Sequence, residues 1–399
     1  MKDFTFYSPT KILFGASQFE TFLSELKKIS SNILIITGGG SVEKLGYLKK
    51  LENALNEKSI NFGNYKGIEP NPLSQTINKA AKFGKEKKID AVLALGGGST
   101  MDAAKAISAL IKTNEEDIWP FVLGEEKFLA LTGALPIIAI PTTAATASEV
   151  TPYSVISNKE VNGKAPIAYD FLKPTLSWIN PEFTADVPLN VTQDGASDIL
   201  SHVFENYLLG GNDSILTDRY CESIIKTVIE TLPELLKDQR NLEHRGTLLW
   251  CSTLALNGMQ GAGRNPSDFI LHSIEHMLSA FNHKLAHGRG LATLYPAYFK
   301  WLWNNGRAKD KLTRLGKIVF NIEENSNSGL QFIERFESWL KENSLLQSVE
   351  DIGISKDLYK QVAQKTVDVY GDGSQLNALG PLKVKDIVDI LTLTESQKS

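Results

Sequence analysis

Cysteine is nearly absent from this chain. Cys221 and Cys251 are the only two in 399 residues, and they form no CxxC pair. That excludes a disulfide-stapled scaffold and points to a reducing compartment. No apolar run approaches the length needed to span a bilayer. The N-terminal residues MKDFTFYSPTKILFG lack a charged segment followed by an apolar one, so no signal peptide is expected. The net charge is −4 and no Lys/Arg run stands out, which argues against a nucleic-acid partner. The expectation is a cytoplasmic protein with neither a membrane nor a nucleic acid to bind. The phosphate-binding patterns GxGxxG and the Walker loop are missing too. Histidine is also scarce, with six residues, and that scarcity makes their placement informative.

What is present reads as an α/β region followed by an all-helical one. Ordinary hydrophobic and charged content and this length suit two folded domains. Lys11–Gly15 reads as a short strand, and Phe19–Ile29 has helical spacing. NILIIT (32–37), DAVLAL (90–95) and Ile137–Ile140 are continuous apolar runs of the kind buried in parallel sheets. Helices are expected between them at about 42–58, 73–88 and 100–111, with a further strand at 61–65. Strands alternating with helices mean a parallel sheet, with ligands beyond the carboxyl ends of its strands. After Asn180-Pro181 the texture changes. Runs at 198–209, 218–236, 245–260, 268–281, 290–304 and 329–343 have helical spacing, and strand-like runs are largely absent. The expected division is 1–185 for an α/β nucleotide-binding domain and 186–399 for a helical metal-binding domain.

Two strands open into glycines. Gly96-Gly97-Gly98-Ser99 lies between a buried strand and a helix, where close backbone approach and free N–H groups suit a pyrophosphate. One glycine would serve a plain turn; three and a serine exceed it. Thr37 is followed by Gly38-Gly39-Gly40-Ser41, with Lys44 a turn later. Dinucleotide folds commonly place an acid at such a strand end, against the ribose 2′-hydroxyl. Here space, a hydroxyl and a cation stand instead, which suits the 2′-phosphate of NADP(H) better than NAD(H).

The histidines concentrate between Asn257 and Ala292, where His272, His276, His283 and His287 fall within a few helical turns. His272 and His276 are four apart, so a helix puts them on one face. Upstream, Asp198 and His202 are also four apart. The two helices together supply one carboxylate and two or three imidazoles to a single divalent metal. A lone histidine such as His244 is more often a packing or surface residue.

These segments resemble the iron-containing (group III) alcohol dehydrogenase family. The matching stretches are KILFG, ITGGGSVEKLG, GIEPNP, LALGGGSTMDAAKAI, PTTAATASEV, GASDILSHVFENY and LHSIEHMLSAFNHKLAHGRGLA, in the family's order. Within it the likeness is to NADPH-dependent butanol dehydrogenases and broad aldehyde reductases. The resemblance implies an N-terminal dinucleotide-binding domain, a helical C-terminal domain and a metal in the cleft between them. It implies that Asp198, His202, His272 and His287 bind Fe2+, Zn2+, Ni2+ or Co2+, with His276 near the nicotinamide as a proton relay. Gly97, Gly98 and Ser99 would hold the pyrophosphate, and Asn71, Thr142, Thr143, Thr146 and Lys164 would line the cofactor site. Gly38, Gly39 and Ser41 would face the 2′-phosphate. The implied activity is hydride transfer between NADP(H) and an alcohol/aldehyde pair by a homodimer, working as an aldehyde reductase that forms primary alcohols.

There are departures. The interval from His272 to His287 is one residue longer than the family's usual spacing, which leaves His283 as an alternative ligand. Ala145 and Ala147 stand where glycine is common, and Asn180-Pro181 replaces Asp-Pro. Two rivals come from other classes: a dehydroquinate-synthase-type lyase that uses NAD transiently, and a silent metal- or nucleotide-binding protein.

Overall fold

The computed structural model describes residues 1–265, 269–377 and 381–397. The chain separates into two compact units. One holds Ser8–Val187 and Arg240–Leu249; the other holds Met1–Tyr7, Pro188–Gln239 and Trp250–Ser399. Neither is one continuous segment, so the first seven residues group with the later part of the chain and residues 240–249 with the earlier part.

The first unit is built on a six-stranded sheet. Its strands are β1 (Lys11–Phe14), β2 (Asn32–Thr37), β3 (Asn61–Tyr65), β4 (Ala91–Gly96), β5 (Ile137–Pro141) and β8 (Leu176–Ile179). The order is β1-β8-β5-β4-β2-β3, and every neighbouring pair is parallel. β6 (Tyr153–Asn158) and β7 (Gly163–Ala168) form a separate antiparallel hairpin. The apolar runs of β2 and β4 are buried from end to end, as strands covered on both faces must be. On one face Ile33, Ile35, Leu93, Leu95 and Ile138 pack with Phe22 and Leu26 of α1 (Phe19–Ile29).

The single helix expected over 42–58 is two, α2 (Ser41–Lys44) and α3 (Tyr47–Glu57). Gly46 between them has φ 76, a left-handed conformation that ends one helix and starts the next. The two expected at 73–88 and 100–111 are α4 (Ser74–Glu86) and α5 (Gly98–Thr113). From β2 the chain moves outward to β3, then returns to β4 on the other side of β2. That reversal makes a switch point, and the glycine loops after β2 and β4 sit at it.

The second unit is mostly helical: α6 (Leu189–Leu209), α7 (Ile215–Lys237), the end of α8 (Leu242–Ala255), α9 (Ile270–Phe281), α10 (His287–Asn304), α11 (Lys309–Phe320), α12 (Ser328–Glu342), α13 (Tyr359–Tyr370) and α14 (Val384–Leu393). Against the all-helical expectation, it holds one short antiparallel pair, β9 (Gln375–Leu376) with β10 (Leu382–Lys383). Asp268, where one run was expected to begin, lies outside the described residues. Phe204 of α6 meets Phe299 and Phe336 edge-on, at 5.3 and 5.4 Å between ring centroids, in an aromatic core. From Ala196 to Leu208 every residue of α6 is buried. A helix buried all round has no solvent to answer its polar side chains, so Asp198, His202 and Glu205 need partners inside. Among the described residues no helix is long and apolar enough to cross a membrane. Both cysteines are buried and free.

Candidate active site

Asp198, His202 and Glu205 recur at i, i+4 and i+7 of α6, which puts all three on one stripe. His272 comes from the first turn of α9, and His287 is the first residue of α10. The Nε2 atoms of His202, His272 and His287 lie 3.7, 3.7 and 3.6 Å from one oxygen, Asp198 Oδ1. These distances are too long for hydrogen bonds. Among the described residues, Asp198 Oδ1 and His272 Nε2 are buried with no hydrogen-bond partner. A buried carboxylate oxygen and a ring nitrogen left unanswered are costly, and a cation between them answers both. The donor set, one carboxylate and three imidazoles, is that of a divalent transition-metal site.

The electrostatics agree. Burial alone raises the Asp198 carboxyl, but His202, and then His272 and His287, outweigh it and hold the group below the usual carboxylate range. Burial pushes His202 well down, against the pull of Asp198, so its ring is neutral and keeps a lone pair. Burial would also lower His272, but Glu205 and Asp198 raise it. A cation at Nε2 would displace that proton, the usual coupling between ligand protonation and metal binding.

The remaining histidine of the pair, His276, hydrogen-bonds through Nδ1 to the hydroxyl of Tyr370 at 2.7 Å. Its ring centroid is 5.2 Å from that of His287. Among the described residues the groups with converging ligand atoms are Asp198, His202 and His272, and Glu275, His276 and His287. His283 is in neither. Three further residues of this site carried no sequence expectation: Glu205, Glu275 and Tyr370. Glu205 was legible as an acid one turn beyond His202 on the same stripe; Tyr370 lies far along the chain and had no signal.

In the sheet unit the expected cofactor residues gather at the carboxyl ends of β2, β4 and β5. Thr142 N–H donates to the Gly96 carbonyl at 3.0 Å, and Asn71 N–H donates to Ser99 Oγ at 3.2 Å. The glycines have a reason beyond phosphate. A methyl group at Gly97 would lie 2.9 Å from Thr143 Oγ1, and one at Gly98 would lie 2.5 Å from Thr146 Cγ2. The threonine-rich loop therefore packs directly on the glycine turn. Gly38 also comes close to its neighbours: a methyl there would stand 3.2 Å from Thr100 Oγ1. Gly39 and Ser41 are exposed, and a methyl group at Gly39 would meet nothing within 4 Å. Glu43, the acid nearest this loop in sequence, pairs with Lys66 at 2.9 Å. Lys164 is buried in β7, whose hairpin partner Ser157 donates its N–H to Pro72 beside Asn71.

Comparison with known proteins agrees in both units. Residues 9–181 match the family model "Iron-containing alcohol dehydrogenase", and residues 192–394 match "Fe-containing alcohol dehydrogenase family, C-terminal". NADH-dependent butanol dehydrogenase A of Clostridium acetobutylicum is 32% identical over 393 residues, covering 98% of this chain and 99% of that protein. NADPH-dependent aldehyde reductase YqhD of Escherichia coli is 32% identical over 383 residues, covering 95% and 92%. The crystal structure of an NADH-dependent butanol dehydrogenase A from Thermotoga maritima superposes with a TM-score of 0.92 at 31% identity, over 99% of each chain. With both halves matched and such relatives along nearly its whole length, the chain belongs to the iron-containing alcohol dehydrogenase family, oxidoreductases of alcohols and aldehydes that use NAD(P) and a divalent metal.

Proposed function

We propose that this enzyme is an NADP(H)-preferring aldehyde reductase in which Asp198, His202, His272 and His287 bind one divalent cation. The supporting observation is the convergence of three Nε2 atoms on one buried, otherwise unanswered carboxylate oxygen. The ligand set suits Fe2+, Zn2+, Ni2+ and Co2+ alike, and the family's name favours iron. A bound cation supplies Lewis-acid polarisation of a carbonyl oxygen, and a bound reduced nicotinamide supplies hydride.

The chain does the rest. Asp198 remains ionised and His202 neutral, so both present electron pairs without first losing a proton. The Tyr370 hydroxyl orients His276 through Nδ1, which leaves Nε2 as the atom that hands a proton towards the alcohol oxygen, directly or through water. Gly97, Gly98 and Ser99, at the start of α5, offer backbone N–H groups to a diphosphate. Asn71, Thr142, Thr143, Thr146 and Lys164 line the same cofactor site. Gly38, Gly39 and Ser41 leave room for a 2′-phosphate with no carboxylate to repel it. Four relatives are named as NADH-dependent and two for NADPH or NADP, so the preference is argued from this loop alone, against that majority. On this reading 1–185 is the nucleotide-binding domain and 186–399 the metal-binding domain. We also propose a cytoplasmic homodimer. The rim strand β1, which among the described residues has only β8 as a neighbour in the sheet, supports pairing between copies, and a sedimentation run giving only monomer would remove that part.

The test is an assay of metal-loaded protein with a panel of aldehydes, following the absorbance of reduced cofactor. Net consumption, faster with NADPH than with NADH, is expected. Turnover without net consumption would mean lyase chemistry, and an NADH preference would overturn the cofactor assignment.

A further inference from the structure

Two of the three imidazoles around Asp198 are held from behind. His272 Nδ1 lies 2.9 Å from Glu205 Oε2, and His287 Nδ1 is hydrogen-bonded to Glu275 Oε2. Both carboxylates are buried, at 3% and 0% exposure, so these contacts are not diluted by water. A carboxylate only accepts. A neutral imidazole has one proton, so each ring must place it on Nδ1 and keep its lone pair on Nε2, the atom aimed at Asp198. His202 differs, because among the described residues its Nδ1 has no hydrogen-bond partner.

Glu205 has a second task. Its Oε1 accepts the backbone N–H groups of Leu271 and His272. These belong to the first turn of α9, where N–H groups have no acceptor within the helix. The residue just before, Phe269, is left-handed at φ 45, and its ring meets His272 edge-on at 5.2 Å. One carboxylate from α6 thus fixes both where α9 begins and which nitrogen of His272 is bare. Glu275 is arranged otherwise. Its Oε1 accepts the hydroxyl of Ser279 one turn on. Gly290 makes room for it, since a methyl there would stand 2.7 Å from Glu275 Cγ.

We propose that Glu205 and Glu275 are positioning residues for the metal ligands, and that Glu205 is the one an amide cannot replace. This rests on the metal assignment above. In Glu205→Gln a single carbonyl oxygen must choose. If it takes the two backbone N–H groups, its NH2 faces His272 Nδ1 and forces the ring proton onto Nε2. If it turns to Nδ1, the NH2 faces two donors. In Glu275→Gln the oxygen can stay on His287 Nδ1 while the NH2 donates to Ser279, whose hydroxyl accepts as readily as it donates.

The experiment titrates Zn2+ into metal-free protein against a chromophoric chelator, with thermal unfolding of the metal-free protein run beside it. Wild type binds one Zn2+ per chain, and His202→Ala loses it; failure here defeats the metal assignment itself. Glu205→Gln is expected to weaken Zn2+ by roughly 10- to 100-fold, the usual cost of losing such a partner. Glu275→Gln weakens it less, and Glu275→Leu, which offers His287 no acceptor, weakens it by a similar 10- to 100-fold. Unchanged affinity in Glu205→Gln, or equal losses in the two Gln variants, overturns the proposal. Should Glu205→Gln not fold, Glu275→Leu decides alone: wild-type affinity there overturns it.

Discussion

The helical unit makes its site from side chains that leave buried atoms unanswered. Asp198 Oδ1 and His272 Nε2 have no hydrogen-bond partner among the described residues, although both are sealed from solvent. The sheet unit makes its loops from backbone and hydroxyls that already fit one another. Gly97 and Gly98 receive Thr143 and Thr146, and Ser99 receives the Asn71 amide. The first arrangement leaves a cost that a cation would answer, which is the ground of the metal proposal. The second is stable as it stands, and it declares a ligand only through its position at a sheet switch point and the start of α5. On the proposed reading, the metal site is fragile to the loss of any one member, while the nucleotide loop is graded.

The sharpest way to break that contrast is at Asp198. Asp198→Ala removes the oxygen on which the three imidazoles converge, and His202→Ala removes one of the three. Each is expected to abolish activity and leave the purified protein without metal, measured by elemental analysis. Full metal occupancy in either would show that the convergence is only packing. His283→Ala, outside both groups, should retain metal.

His276 tests whether proton handling is separable from metal holding. His276→Ala should keep its metal and lose rate by a factor on the order of 10². Tyr370→Phe, which removes only the hydroxyl on Nδ1, should lose less. Loss of metal from His276→Ala would move it among the ligands and displace His272 or His287.

Legibility in the sequence followed the same divide. Asp198, His202 and His272 stood out because histidine is scarce and because Asp198 with His202, and His272 with His276, are spaced four apart. His287 was singled out from its neighbour His283 only by the family resemblance. The parallel sheet was legible from NILIIT and DAVLAL, whose uninterrupted apolar character is what two-sided burial demands. The break at Gly46 was not, because the leucine stripe at 45, 48, 51 and 55 continues across it and hides one left-handed residue. The hairpin of β6 and β7 was missed, since its strands are polar and mixed (YSVISN and GKAPIA). Glu205 and Glu275 were readable as acids but not as partners, because a hydrogen bond between helices has no sequence period.

The nucleotide loops invite a paired test. Gly98→Ala pushes a methyl into Thr146, and overpacking of that kind costs about 1–3 kcal/mol. It should weaken NADPH and NADH together. Gly39→Asp meets open space at its Cβ, and Gly39 is not among the glycines with positive φ. Its effect should therefore be electrostatic. A like charge about 4 Å from a 2′-phosphate costs on the order of 1–4 kcal/mol between solvated and partly shielded limits. The ratio of kcat/KM for NADPH to that for NADH should fall roughly tenfold or more. An unchanged ratio would mean the loop does not read the 2′ position.

The smallest effect is expected at Ala147, and it bears on why the threonine loop tolerates what the glycine turn does not. Ala147 has φ 52, a left-handed conformation, and it is fully buried. Three terms compete in Ala147→Gly. Relief of the left-handed conformation gains about 1–2 kcal/mol. The looser unfolded chain costs about 0.4–1 kcal/mol. Removing one buried methyl costs about 0.8 kcal/mol. The sum lies near zero, so the melting temperature of Ala147→Gly should stay close to wild type. Gly98→Ala has no such compensation, because its methyl meets a side chain in a loop that is itself packed. A large stabilisation of Ala147→Gly would show that the loop stores strain the packing around it does not offset. A large destabilisation would show that the Ala147 methyl is a packing contact as tight as those the glycines make.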